Sequence, residues 1–296
     1  MKALLHRCGI ALVATFLAGP LFAADYPAPY SPPLPVAQLY DWSGFYFGGN
    51  LGYGLAKDSL GVSGFDVDGV AVPGSSFAAL RPNGIIGGLQ AGYNWQPAKN
   101  FVYSIETDFQ WSGQKDSITA AGPVASASCF GDPNGPCSVA ATGSGTLAAK
   151  IDWFGTLRGR LGFAADDVLI YGTGGFAYGS VKTSGLGAFA GTFTDATTCA
   201  GGCPASGNSF FDDTRTKLGW TVGAGVEGAL PYTKNWILRA EYLYVDLGTV
   251  ASSGAFNSTV SIPAIPLIQN ASGTVSHSSH VTDQILRIGI SYKFGG

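Results

Sequence analysis

Eight times along this chain, apolar residues alternate with small or polar ones at a period of two, the signature of a β-strand with one greasy face. The clearest stretch runs from Phe101 to Gly113. Its odd positions read Phe101, Tyr103, Ile105, Thr107, Phe109 and Trp111, and its even positions read Val102, Ser104, Glu106, Asp108, Gln110 and Ser112. The other seven are 43–55, 84–96, 147–163, 168–182, 215–230, 236–248 and 280–294. Only 168–182 is apolar on both faces, so its orientation is left open by the pattern.

The gaps between these segments alternate in length. Three are tight: 97–100, 164–167 and 231–235. The other four, 56–83, 114–146, 183–214 and 249–279, hold 28, 33, 32 and 31 residues and are expected to be long loops. Four such loops are foreign to a compact soluble domain. Short turns alternating with long loops are instead the layout of an outer-membrane barrel, where an even strand count returns both termini to the periplasmic side. Each segment has at least thirteen residues, and a tilted strand needs about 9–11 to cross a bilayer.

The polarity of the two faces supports the same reading. A soluble sheet would expose many Lys and Glu, whereas only 12% of this chain is charged and 44 of its 296 residues are glycine, about twice the usual share of roughly 7%. The thin polar face carries Glu106, Asp108, Lys150, Asp152, Arg158, Arg160, Lys217, Glu227, Arg239, Glu241, Asp283 and Arg287. Mixed charges and small residues suit a narrow closed interior, and these twelve are expected to form a lumenal charge network that stabilises the barrel. The apolar face then meets lipid. Trp95, Phe101, Phe163, Trp236, Tyr292 and Phe294 lie beside the short turns, and Tyr53, Trp111, Trp153, Tyr178, Trp220 and Tyr244 toward the long loops. Two aromatic belts of this kind fit the two membrane interfaces. The expected fold is all-β, a transmembrane eight-stranded antiparallel up-and-down β-barrel spanning 43–296.

The N-terminus reads as an address. Lys2, His6 and Arg7 precede a charge-free run from Cys8 to Ala24 broken by Gly19 and Pro20, the layout of a secretory signal over 1–23. Its removal leaves fourteen basic against nineteen acidic side chains, a net charge of −5 that offers no field for nucleic acid. Residues 24–42 begin with a proline-rich run, Tyr26 to Pro35, expected to be an extended periplasmic spacer. Four cysteines remain in two close pairs. Export favours disulfides, and of the three connectivities the local ones, Cys129–Cys137 and Cys199–Cys203, are expected because each pair lies within one loop.

The stretches Tyr40-Asp41-Trp42-Ser43-Gly44-Phe45-Tyr46, Tyr103-Ser104-Ile105-Glu106-Thr107-Asp108-Phe109, Tyr171-Gly172-Thr173-Gly174-Gly175, Ala240 to Gly248 and Arg287 to Phe294 resemble the small eight-stranded outer-membrane proteins of brucellae and rhizobia. These are outer-membrane immunogenic or porin-family proteins with an OmpA-like barrel. The resemblance implies the outer membrane of a Gram-negative bacterium, with lipid and lipopolysaccharide around the barrel. It also implies recognition by the outer-membrane assembly machinery through the terminal aromatics Tyr292 and Phe294, although Gly295 and Gly296 follow them.

No catalytic constellation is visible, and no cofactor or metal is expected. His277 and His280, in Ser-His-Ser-Ser-His, are candidates for a haem site, but no Cys, Tyr or carboxylate stands close in sequence to complete one. His277, His280, Asp246 and Asp283 would supply ingredients for hydrolysis near the outer rim, yet no nucleophile is marked by spacing. The expected role is structural: envelope support and surface loops available to host, phage or antibody. A narrow passive pore is the alternative, disfavoured because eight strands leave an interior that side chains can fill.

Overall fold

Ten strands account for most of the residues described by the computed structural model, which are 40–67, 70–73, 80–128, 138–195, 199–233, 235–263 and 267–294. They are β1 (Gly44–Val67), β2 (Val70–Pro73), β3 (Asn83–Ala98), β4 (Phe101–Ser112), β5 (Lys115–Ser128), β6 (Ser138–Ala165), β7 (Val168–Thr194), β8 (Cys203–Ala229), β9 (Trp236–Ile262) and β10 (Leu267–Phe294). Eight of them close an antiparallel ring in the order β1, β3, β4, β6, β7, β8, β9, β10, with β10 pairing back onto β1. β5 continues the path of β4 alongside β6, and β2 folds back on the far end of β1. Closure leaves no unpaired edge within the ring.

Tight connections join β3 to β4, β6 to β7 and β8 to β9 at one end. Asp166, with φ 53°, takes the left-handed conformation in the turn between β6 and β7, where a short polar side chain is tolerated. The opposite end departs from expectation. β6 to β10 run 27 or 28 residues each, so much of what reads as four long loops is paired strand. The β7–β8 ladder continues to Phe193 opposite Cys203, and the β9–β10 ladder to Ile262 opposite Leu267. These extensions are rich in Gly, Ala, Ser and Thr on both faces. They lack the hydropathy alternation that marks a strand half-buried in lipid, and the ladder alone satisfies their backbone.

Facing follows the period. Leu161, Ile170, Phe176 and Leu286 point outward and are more than three-fifths exposed. Outward rings meet across neighbouring strands at two levels: Trp95 with Tyr103 and Trp236 with Tyr292 near the short turns, Phe109 with Trp153 and Trp220 with Tyr244 toward the long hairpins. On β7, Leu169, Tyr171, Thr173, Ala177 and Val181 point inward, which settles the orientation that its sequence leaves open.

The lumen is packed in layers. Next to the short turns a floor forms from Trp42, Val102, Ala164, Leu169, Tyr171 and Ile237. Toward the long hairpins lies an apolar plug that includes Ile86, Ile151, Phe154, Val181, Leu243, Leu247 and Ile285. Trp42 is fully buried, its amide bonded to Gln96 Oε1 at 2.7 Å and its indole to the Asp166 carbonyl at 3.3 Å. The segment expected as a spacer therefore joins the barrel by Tyr40, before residue 43. Two tyrosines crossing the lumen need glycine opposite: a Cβ on Gly92 or Gly225 would lie 2.4 Å from the hydroxyl of Tyr46 or Tyr171.

The signal over 1–23, residues 24–39 of the spacer and the pair Cys129–Cys137 lie outside the described residues. Cys199 and Cys203 are disulfide-bonded, between the end of β7 and the start of β8.

A buried charge network across the lumen

Between floor and plug, four arginines and four carboxylates meet. Glu106 and Asp108 come from β4, Arg158 and Arg160 from β6, Glu227 from β8, Arg239 and Glu241 from β9, and Arg287 from β10. Even spacing on β4 and β6, and odd spacing on β8 to β10, bring all eight to the inner face. Three ion pairs are direct cross-strand neighbours: Glu106 opposite Arg158, Glu227 opposite Arg239, and Arg287 opposite Glu241. All eight are 5% exposed or less.

Glu106 sits at the centre. It pairs with Arg158, with Arg160 at 3.1 Å and with Arg239 at 2.6 Å, and accepts the Tyr46 hydroxyl at 2.5 Å. Arg158 also reaches Asp108 and Glu241, each at 3.0 Å. Arg287 holds Asp108 at 2.8 Å and Glu241 at 2.6 Å, while Glu227 pairs with Arg160 at 2.5 Å and Arg239 at 2.6 Å. Tyr171 donates to Glu241 at 2.9 Å, and the Arg160 guanidinium lies 3.8 Å from its ring centroid. Four positive and four negative groups balance, so the layer is neutral as a unit. That balance makes so many buried charges tolerable in a low-dielectric interior. Tyr46 and Tyr171 belong to this network but were not among its sequence candidates; their signal is a tyrosine placed on the inward, otherwise small or polar parity.

Four of the twelve expected members lie elsewhere. Asp152 is the extra residue of a bulge between Ile151 and Trp153, where the β6–β7 register shifts. The bulge reverses the parity beyond it, so Lys150 faces outward and pairs with Asp152 at 2.6 Å on the surface. Lys217 keeps the inward parity of β8, opposite Gly179, but its ammonium takes no part in the network and donates to the Thr249 carbonyl at 2.6 Å. Asp283 is buried apart from the network and accepts from Gln114 at 2.9 Å. Beside it along the lumen wall, buried Asp58 accepts from Ser279, a pairing without a signal in the sequence.

The two histidines do not form one site. Three residues apart on β10, they fall on opposite faces. His277 points inward, 1% exposed, its ring 3.9 Å from that of Phe211, whereas His280 points outward beside Asp246 at 3.6 Å and Thr249 at 3.2 Å. The 3.6 Å separation is too long for a hydrogen bond that would orient a base, and Asp283 faces inward, on the opposite face from His280 and well along β10 from His277.

Comparison with known proteins places this architecture. A family model described as outer membrane protein beta-barrel domain matches residues 14–294. The 31 kDa outer-membrane immunogenic protein of Brucella melitensis is 34% identical over 291 residues, covering 96% of this chain and 98% of the relative. The 22 kDa outer membrane protein of Rhizobium leguminosarum is 30% identical over 72% of this chain and 67% of its own length. Among solved structures, the outer membrane protein OprG of Pseudomonas aeruginosa aligns over 86% of this chain and 97% of its own, at 12% identity and a TM-score of 0.37. The chain belongs to the outer membrane protein beta-barrel family, and it is an outer-membrane protein of Gram-negative type.

Proposed function

We propose that this protein is a structural component of the outer membrane, a closed barrel that supports the envelope and carries its long hairpins on the cell exterior. The observation that supports this most directly is the filled lumen. A neutral network of eight charges lies between an apolar floor and an apolar plug, and the buried side chains of these layers occupy the interior of the ring. A diffusion pore needs that space open.

The short turns are assigned to the periplasmic side, which sends the hairpins outward. The relatives named as immunogenic proteins support a surface antigen, with host, phage and antibody as the class of partner met there. No enzymatic role is proposed, since Asp246 and His280 face outward while His277 and Asp283 face inward. The outward rings of Tyr292 and Phe294 at the last turn of β10 are proposed as the mark read by the assembly machinery. A Phe294→Ala chain that assembled at the wild-type rate would remove that part of the reading.

Planar-bilayer recording with refolded protein tests the central claim. The expected outcome is no stepwise conductance above the bare bilayer. Reproducible open-channel steps would replace the structural reading with that of a narrow pore.

A further inference from the structure

The outward cations form a band. Between the two aromatic levels the outer face of the ring carries no Lys, Arg, Asp or Glu. Lys and Arg are also missing from 58–80, 116–149, 183–214 and 240–286, which make up most of the long hairpins. In between, one outward cation follows the aromatic level on four strands in a row or nearly so. Lys57 lies four residues beyond Tyr53 on β1, Lys115 four beyond Trp111 on the β4–β5 path, Lys182 four beyond Tyr178 on β7, and Lys150 three beyond Trp153 on β6 across the bulge. Arg81, exposed just before β3, stands two residues from Asn83, which pairs with Lys115.

Three of these are immediate neighbours. Lys115 is directly opposite Lys150, and Lys150 is directly opposite Lys182. Like charges at direct cross-strand positions repel, and a fold gains nothing from three of them in a row. Their counter-charges are loose: Lys150 pairs with Asp152 and Lys182 with Asp212 at 3.0 Å, on side chains that are 31–50% exposed. Among the described residues Lys115 has no carboxylate within ion-pair distance.

We propose that Lys57, Arg81, Lys115, Lys150 and Lys182 form a collar that binds the phosphates of the lipid in the outer leaflet, the phosphorylated glycolipid anchor of lipopolysaccharide. Height selects this occupant over other anions. Four strand residues cover about 13 Å, which a strand tilt of roughly 40° reduces to about 10 Å above the aromatic rings. Those rings sit at headgroup depth, so the collar lies where the phosphates of a large glycolipid project and faces the lipid side of the barrel. The proposal rests on the reading that the long hairpins point outward.

The test uses the full chain folded in micelles and titrated with bis-phosphorylated lipid A, with the same lipid stripped of both phosphates, and with inorganic phosphate. Emission of Trp111 and Trp153, just below the collar, is the readout. The expected result is saturable binding of the bis-phosphorylated lipid, weakened about a hundredfold in Lys115→Gln/Lys150→Gln/Lys182→Gln, since each lysine near an anionic lipid surface contributes about fivefold. Lys99→Gln, at the opposite end, leaves affinity unchanged. If the triple variant loses its folded gel band, Lys115→Gln alone, which breaks no ion pair, carries the test. Equal affinity of variant and parent, or of lipid with and without phosphates, overturns the collar, and an equal response to inorganic phosphate overturns the lipid as its occupant. An epitope inserted at Pro263, between β9 and β10, separates the two readings. If antibody cannot reach it on intact cells, the orientation fails; if it is reached while lipid affinity is unaffected by the substitutions, only the collar fails.

Discussion

Arg158 illustrates what the lumen demands of single residues. Its guanidinium contacts Glu106, Asp108 and Glu241, and it has no route to water. Arg158→Met leaves the network one positive charge short in a dry interior, and the expected loss is about 3–5 kcal/mol. Urea titration of the folded band on an unboiled gel measures it, and pairing the change with Glu106→Gln, which restores neutrality, is expected to recover part of the loss. A single variant within about 1 kcal/mol of the parent would mean that the charges are not desolvated as their burial implies. His277 makes the opposite point, far from the network and beyond the membrane-crossing part of β10. Burial against Phe211 lowers its pKa below the ordinary 6.5, partly offset by the charge of Asp213. The folded state then favours the neutral ring while the unfolded chain takes up a proton. The stability His277 contributes is fully present above pH 6.5 and is lost as pH falls through its lowered value. Protease resistance of the long hairpins is expected to drop between pH 8 and pH 5, and His277→Phe should flatten that drop.

At the scale of strands, the sequence was legible wherever the two faces met different surroundings. Phe101 to Gly113 alternates between lipid and a charged lumen layer, and its period, facing and inner carboxylates can all be read directly. The β7 segment 168–182 could not be oriented, because it crosses the lumen where Leu169 joins the floor and Val181 the plug, so its inner face is as apolar as its outer one. Lys150 was misplaced because a one-residue bulge is invisible to a strict period. The hairpin extensions were invisible for a third reason: with Gly, Ala, Ser and Thr frequent on both sides and the few large apolar residues off a steady alternation, pairing is what distinguishes strand from loop. The same weakness makes a staple useful at the end of the β7–β8 ribbon, where Cys199 and Cys203 close a five-residue loop. A loop that short is worth about 2 kcal/mol by the chain-entropy estimate. Because the staple lies far from the lumen layers, Cys199→Ser/Cys203→Ser is expected to speed hydrogen exchange at the tip of this ribbon without shifting the unfolding of the barrel. A parallel fall in barrel stability would show that tip and ring unfold as one unit.

For the molecule as a whole, that separation has a larger consequence. Everything that closes the barrel lies toward the short turns: the β1–β3 pairing, the floor, the charge network and the plug. Beyond the plug the ring loosens. β8 and β9 are unpaired between Phe210 and Trp220, and β3 and β5 meet only at Asn83 and Lys115. The long hairpins are therefore ribbons carried by a finished barrel, and they are not parts of its closure. Joining Ser184 to Asp212 through an Asn-Gly turn removes most of the β7–β8 ribbon. These residues are direct cross-strand partners, and Asn-Gly supplies the positive φ that a two-residue hairpin needs. The trimmed chain is expected to fold, to migrate differently before and after boiling, and to keep a β-rich spectrum in detergent. If it yields only unfolded protein, closure begins in the ribbons, and their weakly patterned sequence is under constraint from folding as well as from whatever meets the cell surface.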